Sequence, residues 1–173
     1  MQPSNRSPRI LQPAKPWFIN MSLVLAFCAN LLPTARIPGI PDWVALVLAF
    51  WCVRETRHVG QAWGFVLGLL MDVADGAAFG QHALAYVIIA YGAAGLSRRI
   101  LWFTPASQAL HVLPLLLIAQ VVMLLIRLAA GGQFPGFLYF FSSFVATLLW
   151  PALTVLLLLP QYQPLEKDDT RPI

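Results

Sequence analysis

The sequence has 173 residues, of which 59% are hydrophobic and only 10% are charged. Soluble domains contain about 25% charged residues, so this composition excludes an ordinary soluble enzyme or binding domain and indicates an integral membrane protein. The net charge of +4 comes from 11 basic and 7 acidic residues, and the basic residues form no stripe with interleaved aromatic residues that would indicate nucleic-acid binding.

Long apolar runs predict an all-α polytopic fold with six transmembrane helices. A helix crosses about 30 Å of hydrocarbon with about 20 residues, and prolines, glycines and charged residues separate six such runs. A proline-rich basic tail over 1–16 is predicted to be disordered, and a second tail covers 160–173. The predicted spans are about 17–34, 43–53, 61–76, 82–97, 107–129 and 137–159.

The second span is shorter than a bilayer requires. Its 11 residues extend about 16 Å at helical rise. Backbone groups at membrane depth need cover from protein when the segment does not reach across. We therefore expect neighbouring helices to shield this helix from lipid.

The distribution of basic residues predicts the orientation. With a cytoplasmic amino terminus, nine basic residues fall on the inner side and two, Arg36 and Arg127, fall on the outer side. Positive charge collects on the cytoplasmic side of membrane proteins and also favours contact with anionic membrane lipid. The sequence therefore predicts a multi-pass membrane protein with both termini in the cytoplasm.

One segment combines small residues with two carboxylates. Residues at four-residue intervals are Gly64, Gly68, Asp72, Gly76 and Gly80. Glycines at this spacing let a second membrane helix approach closely. Gly64 and Gly68 are therefore predicted to be packing residues.

The aspartates differ in their predicted roles. Asp72 lies within a span, where an ionisable group costs about 2.5–3.5 kcal/mol on insertion scales and usually faces the bundle interior, so it needs a partner. Arg127, near the outer end of the fifth span, is the candidate partner for Asp72 or Asp75. Asp75 and Gly76 are predicted to end the helix, with Gly76 in the left-handed conformation. Gly80 then belongs to the following turn.

The two aspartates also allow an enzymatic interpretation. The segment "DVADG" is similar to the start of the metal-binding aspartate motif of membrane CDP-alcohol phosphotransferases, but the expected arginine is missing and residues 81–163 contain no Asp or Glu. Two carboxylates alone do not hold a metal pair. His111 has no acid nearby in sequence and, with Gln120, is predicted to be a hydrogen-bonded bundle residue. We predict no catalytic, cofactor-binding or metal-binding residues.

The size, the six spans and the segment "GFVLGLLMDVADGAAFGQHALAYVIIAY" (64–91) together resemble the MreD family of bacterial rod-shape-determining proteins. The resemblance implies a non-enzymatic scaffold of the cell-elongation machinery that supports peptidoglycan synthesis. Its implied partners are the bitopic protein MreC, a SEDS glycosyltransferase, a class B transpeptidase and the actin-like MreB filament.

The resemblance also supplies an alternative function. The fold of the family is similar to the substrate-binding S components of energy-coupling-factor transporters, which implies a small-molecule (vitamin-type) binding subunit. Such a site uses several convergent polar groups. The sequence offers scattered ones that serve helix packing equally well: Asn30, Tyr86, Tyr91, Ser142, Ser143 and Thr147.

Overall fold

The computed structural model describes residues 14–32 and 39–161. Within these ranges the chain is all-helical, without strands, which confirms the predicted all-α class with six helices. Short 3₁₀ turns at Phe137–Phe140 and Leu159–Gln161 flank the last one. The helices are α1 (Pro16–Leu31), α2 (Trp43–Arg54), α3 (Gln61–Asp75), α4 (Gln81–Ile100), α5 (Pro105–Ala129) and α6 (Phe141–Leu158).

The ends of the chain differ in part from the prediction. Pro16 occupies the first turn of α1, where its missing N–H costs nothing, and Ala14 is buried against the core. Residues 14–16 of the tail predicted over 1–16 therefore belong to the described helical region. The other residues of that tail, the end of the first predicted span and most of the tail over 160–173 lie outside the described residues.

The short helix α2 lies at the centre of the bundle. All ten residues from Val44 to Val53 are buried, and the helix contacts α1, α4 and α6. A helix that is apolar on every side is stable only when it is enclosed. The expectation that neighbours shield this helix is confirmed.

Aromatic rings and one buried hydrogen bond fasten α2 to its neighbours. Trp51 packs edge-on against Phe50 at 5.0 Å between ring centroids, and Phe50 packs against Trp150 of α6 at 6.1 Å. The indole N–H of Trp51 donates to Ser22 Oγ of α1 at 2.7 Å, which satisfies a buried donor. These contacts fix α1 and α6 on two sides of α2.

The last two helices are the longest apolar elements. Among the described residues, Pro105–Ala129 and the segment Phe137–Gln161 are the two helices long and apolar enough to cross a membrane by themselves. Both carry large exposed apolar side chains, including Leu110, Ile118 and Leu125 on α5 and Leu148 and Leu156 on α6. This outer surface is unlike that of a soluble bundle.

Candidate functional site

Asp72 joins the end of α3 to the beginning of α4. It is 1% exposed, and its carboxylate accepts hydrogen bonds from the backbone N–H groups of Gly80 at 2.8 Å and His82 at 2.7 Å. The first N–H groups of a helix have no partner within that helix, and a negative charge there is also favourable for the helix dipole. Asp72 is therefore an N-terminal cap of α4 that is supplied by a different helix.

The ring of His82 lies between the two aspartates. Its Nδ1 is 2.9 Å from Asp72 Oδ1, and its Nε2 is 3.8 Å from Asp75 Oδ2. His82 is 12% exposed at its side chain, whereas Asp75 is 37% exposed. No local sequence pattern pairs His82 with Asp72, because the two residues are ten positions apart.

Two glycines shape the turn between α3 and α4. Gly76 ends α3 with φ +62°, and Gly80 precedes α4 with φ +93°, values in the left-handed region that glycine adopts readily. The backbone N–H of Ala77 bonds to the carbonyl oxygen of Asp72 at 3.0 Å, as in a helix-ending motif. Gly76 thus caps the carboxyl-terminal end of α3 in the left-handed conformation, and Gly80 belongs to the turn that leads into α4.

The other two glycines of the segment lie against the backbone of α4. A Cβ atom at Gly68 would be 2.3 Å from the Cα of Ala83, and one at Gly64 would be 2.7 Å from the carbonyl oxygen of Tyr86. Both distances are shorter than van der Waals contact permits. Gly64 and Gly68 therefore allow the close approach that the spacing predicts, and the approaching helix is α4.

A second polar cluster joins α1, α2 and α4. Asp42 Oδ1 accepts from the backbone N–H of Ala45 at 3.0 Å and from Asn30 Nδ2 at 2.7 Å, and Asp42 Oδ2 accepts from the Tyr86 hydroxyl at 2.7 Å. The side-chain oxygen of Asn30 accepts from the N–H of Trp43 at 2.9 Å. Asp42 was not among the predicted site residues. Its position before an apolar helix is an N-cap signal, but nothing in the sequence indicates Tyr86.

Replacing Tyr86 with phenylalanine should test this cluster. The substitution removes one donor to a partly buried carboxylate, which should lower the free energy of unfolding by about 1.5–3 kcal/mol. Tyr91→Phe is the matched control, because Tyr91 lies on the same helix and is 68% exposed. Unfolding by SDS in mixed micelles measures both; equal effects of the two substitutions would contradict a structural role for the Asp42 contact.

Gln120 connects α5 to the beginning of α6. Its amide nitrogen donates to the carbonyl oxygen of Tyr139 at 3.1 Å and to Ser142 Oγ, and its Oε1 accepts from Ser143 Oγ at 2.6 Å. His111 contacts the carbonyl oxygen of Ser107 at 3.0 Å. The predicted role of Gln120 and His111 as hydrogen-bonded bundle residues is confirmed.

Polar residues near the helix ends described above line an open cleft of about 670 Å³. Helices α1 to α4 and their caps contribute Asn30, Asp42, Asp75 and His82 to its lining; α5, α6 and the turn before α6 contribute Gln120, Arg127, Tyr139 and Ser142. We call this space the polar cleft and define it by these eight residues. The carboxyl-terminal ends of α1, α3 and α5 and the amino-terminal ends of α2, α4 and α6 thus meet at one end of the bundle.

Among the described residues, Arg127 pairs neither with Asp72 nor with Asp75, the two partners that were predicted for it. Asp72 is enclosed by the start of α4, and its oxygens are occupied by Gly80 and His82. Among the described residues no ion pair joins Arg127 to an acidic side chain. Arg127 instead lines the polar cleft, because α5 packs on α4 rather than on the end of α3.

The arrangement of carboxylates does not suit metal chemistry. In the part of the chain that the structure describes, no group of three His, Cys, Asp or Glu side chains is placed to hold a metal ion. The carboxylate of Asp72 is already bonded to two backbone N–H groups. Asp42 and Asp72 thus hold helices together, and the cleft retains groups of both charges.

Comparison with known proteins gives the family. The sequence model of the family described as "rod shape-determining protein MreD" matches residues 13–159, a range that contains all six helices. The chain belongs to the MreD family. A relative named rod shape-determining protein MreD, from Haemophilus influenzae, is 31% identical over 142 residues, with 78% of this chain and 85% of the relative covered. No solved structure matches the chain.

Membership of the MreD family establishes the broad role of the chain. It is a bacterial membrane protein of the rod-shape machinery, which agrees with its apolar exterior. The interpretation as a member of this family, drawn from the segment 64–91, is confirmed. The segment forms most of α3, the capped turn and the first half of α4.

Proposed function

We propose that this chain is a non-enzymatic scaffold of the cell-elongation complex in the inner membrane. It binds an MreC-like bitopic protein and supports a SEDS glycosyltransferase and a class B transpeptidase, with the MreB filament on the cytoplasmic side. The observation that carries the proposal is the match of the whole helical region, residues 13–159, to the MreD family.

The proposal includes six membrane-spanning helices. The exposed apolar side chains of α5 and α6 support it, since lipid is the solvent that tolerates such a surface. The burial of α2 is consistent with it as well. A helix of 12 residues is too short to face lipid along a full crossing, and the neighbouring helices enclose it instead. In the orientation that the basic residues favour, both termini are cytoplasmic and the polar cleft opens toward the outer side.

In this proposal the residues of α3 and of the turn between α3 and α4 act as a rigid support. Gly64 and Gly68 bring the two helices together, Asp72 caps α4, and Gly76 and Gly80 shape the turn. A scaffold works by presenting a fixed surface to its partners, and a rigid surface loses less entropy when it binds. We therefore assign these residues to shape rather than to direct partner contact.

Co-purification tests the proposal. The tagged chain is isolated from its native membrane in a mild detergent, and mass spectrometry identifies the proteins and small molecules that it retains. We expect an MreC-like single-span protein and the wall synthases with the unaltered chain. We expect them also with Asp75→Asn, which removes a charge from an exposed side chain, but in reduced amounts with Asp72→Ala.

The same experiment examines the alternative function. The polar cleft is the observation that favours a small-molecule binding subunit, because its volume of about 670 Å³ falls within the range of about 300–1,000 Å³ of ligand sites. Retention of a vitamin together with an ATPase module, and without wall synthases, would replace the scaffold proposal by this one.

A further inference from the structure

Most polar groups in the polar cleft are occupied by other protein groups. Asp42 accepts three hydrogen bonds, from Asn30, Ala45 and Tyr86. Both ends of the Gln120 amide are bonded to the beginning of α6. These groups hold the walls of the cleft in place and have little capacity left for a ligand.

Asp75 and Arg127 are the exceptions. The one polar contact of the Asp75 carboxylate among the described residues is His82 Nε2 at 3.8 Å, which is longer than a hydrogen bond. The guanidinium of Arg127 makes no hydrogen bond or ion pair within the described ranges, although it carries five N–H donors. Opposite charges with unfilled bonding capacity thus line the same cleft.

The rim of the cleft beside α6 is apolar. Tyr139 and Ser142 line the cleft, whereas their neighbours Phe137, Leu138 and Phe141 are 84%, 67% and 54% exposed. The Phe141 ring also lies 3.1 Å from the Cβ position of Gly39, another residue of the lining. A molecule that enters the cleft with a polar end would pass over this apolar rim.

We propose that the polar cleft binds the headgroup of a zwitterionic aminophospholipid of the phosphatidylethanolamine type. The ammonium group lies against Asp75, the phosphate against Arg127, and the acyl chains extend across the apolar rim. Arginine binds phosphate oxygens with two parallel N–H bonds, and a primary ammonium donates to a carboxylate. With Asp42 and Asp75 against Arg127, the lining has one excess negative charge when His82 is neutral, which disfavours a purely anionic headgroup.

Lipid competition on the full-length protein tests this inference. The protein is purified in detergent and exposed to equal amounts of phosphatidylethanolamine, phosphatidylcholine and phosphatidylglycerol, and native mass spectrometry counts the lipids that remain bound. We expect one tightly retained phosphatidylethanolamine. Phosphatidylcholine should bind more weakly, because its quaternary ammonium has no N–H donor, and phosphatidylglycerol lacks the ammonium altogether.

Variants locate the site. Asp75→Asn and Arg127→Gln should each weaken retention of phosphatidylethanolamine about tenfold, the loss of one charge-assisted contact. Glu55→Gln and Arg99→Gln are matched controls that remove the same charges at the opposite ends of α2 and α4, and they should change nothing. Size-exclusion profiles and unfolding midpoints of all four variants verify that each one is folded.

Three results would overturn the inference: equal retention of the three lipids, unchanged retention in both cleft variants, or an equal loss in the controls. Water-soluble glycerophosphoethanolamine provides a further check. If it displaced the lipid at the lipid's own concentration, the acyl chains would contribute nothing and the ligand would be a soluble zwitterion. None of these results depends on which proteins the chain binds, so this inference and the scaffold proposal can fail independently.

Discussion

Replacing Asp72 with alanine should lower the free energy of unfolding by about 3 kcal/mol. The substitution removes the acceptor of two backbone N–H groups at the start of α4, and hydrogen bonds to a charged group contribute about 1.5–3 kcal/mol each. Water that enters the space left by the carboxylate can accept hydrogen bonds from these N–H groups and so recover part of the lost free energy. A loss of this size is a large fraction of the total stability of about 5–15 kcal/mol that proteins have.

Unfolding by SDS in mixed micelles measures the effect, and Asp75→Asn is the matched control. Asp75 lies one turn later on α3 and makes no hydrogen bond among the described residues, so its replacement should change stability by less than about 0.5 kcal/mol. Asp72→Asn should lie between the two, because the amide oxygen still accepts while the amide nitrogen faces an N–H donor. Similar losses at residues 72 and 75 would rule out the interhelical cap.

Replacing Gly68 with alanine should destabilise the protein by about 3 kcal/mol. The added Cβ would lie 2.3 Å from the Cα and 2.5 Å from the nitrogen of Ala83, and backbone atoms cannot rotate away as a side chain does. The helices α3 and α4 would have to separate, and overpacking of this kind costs about 1–3 kcal/mol or more. The separation would also lengthen the contacts of Asp72 with α4.

Gly95→Ala provides the control for this substitution. Gly95 lies within α4, and a Cβ atom there would meet nothing within 4 Å. Alanine has a higher helix propensity than glycine by about 0.8–1.0 kcal/mol, so this variant should be as stable as the original or more stable. Unfolding midpoints and the yield of folded protein in detergent measure both variants; a loss at Gly95 equal to that at Gly68 would contradict the close-approach explanation.

Local patterns were sufficient to predict the helices and the turn after α3. Proline, glycine and charged residues interrupt the apolar runs where the structure has its connections, and Asp-Gly at 75–76 marks the end of α3. Glycine spacing predicted that a helix would approach Gly64 and Gly68. Each of these features depends on residues that are close together in sequence, and for that reason it could be read directly.

The partners of the polar groups could not be predicted in the same way. Charge and position favour Arg127 as the partner of Asp72 or Asp75. The structure instead gives Asp72 backbone N–H groups, which every residue except proline carries and which no sequence pattern distinguishes. The contact of Asp42 with Tyr86 spans 44 residues and depends on how α2 and α4 are placed. The polar cleft likewise exists only because the ends of all six helices meet, so its residues share no motif.

The enclosure of α2 determines when the chain can finish folding during synthesis. Its contacts with α1 can form early, but those with α4 and α6 have to wait until both helices have been made. Trp150 of α6, which meets Phe50, lies 100 positions later in the chain. Contacts between distant parts of a chain form late because they close long loops. The nascent protein therefore cannot complete its core by adding helices in successive pairs. The burial of α2 is complete only when α6, the last helix, has packed against it.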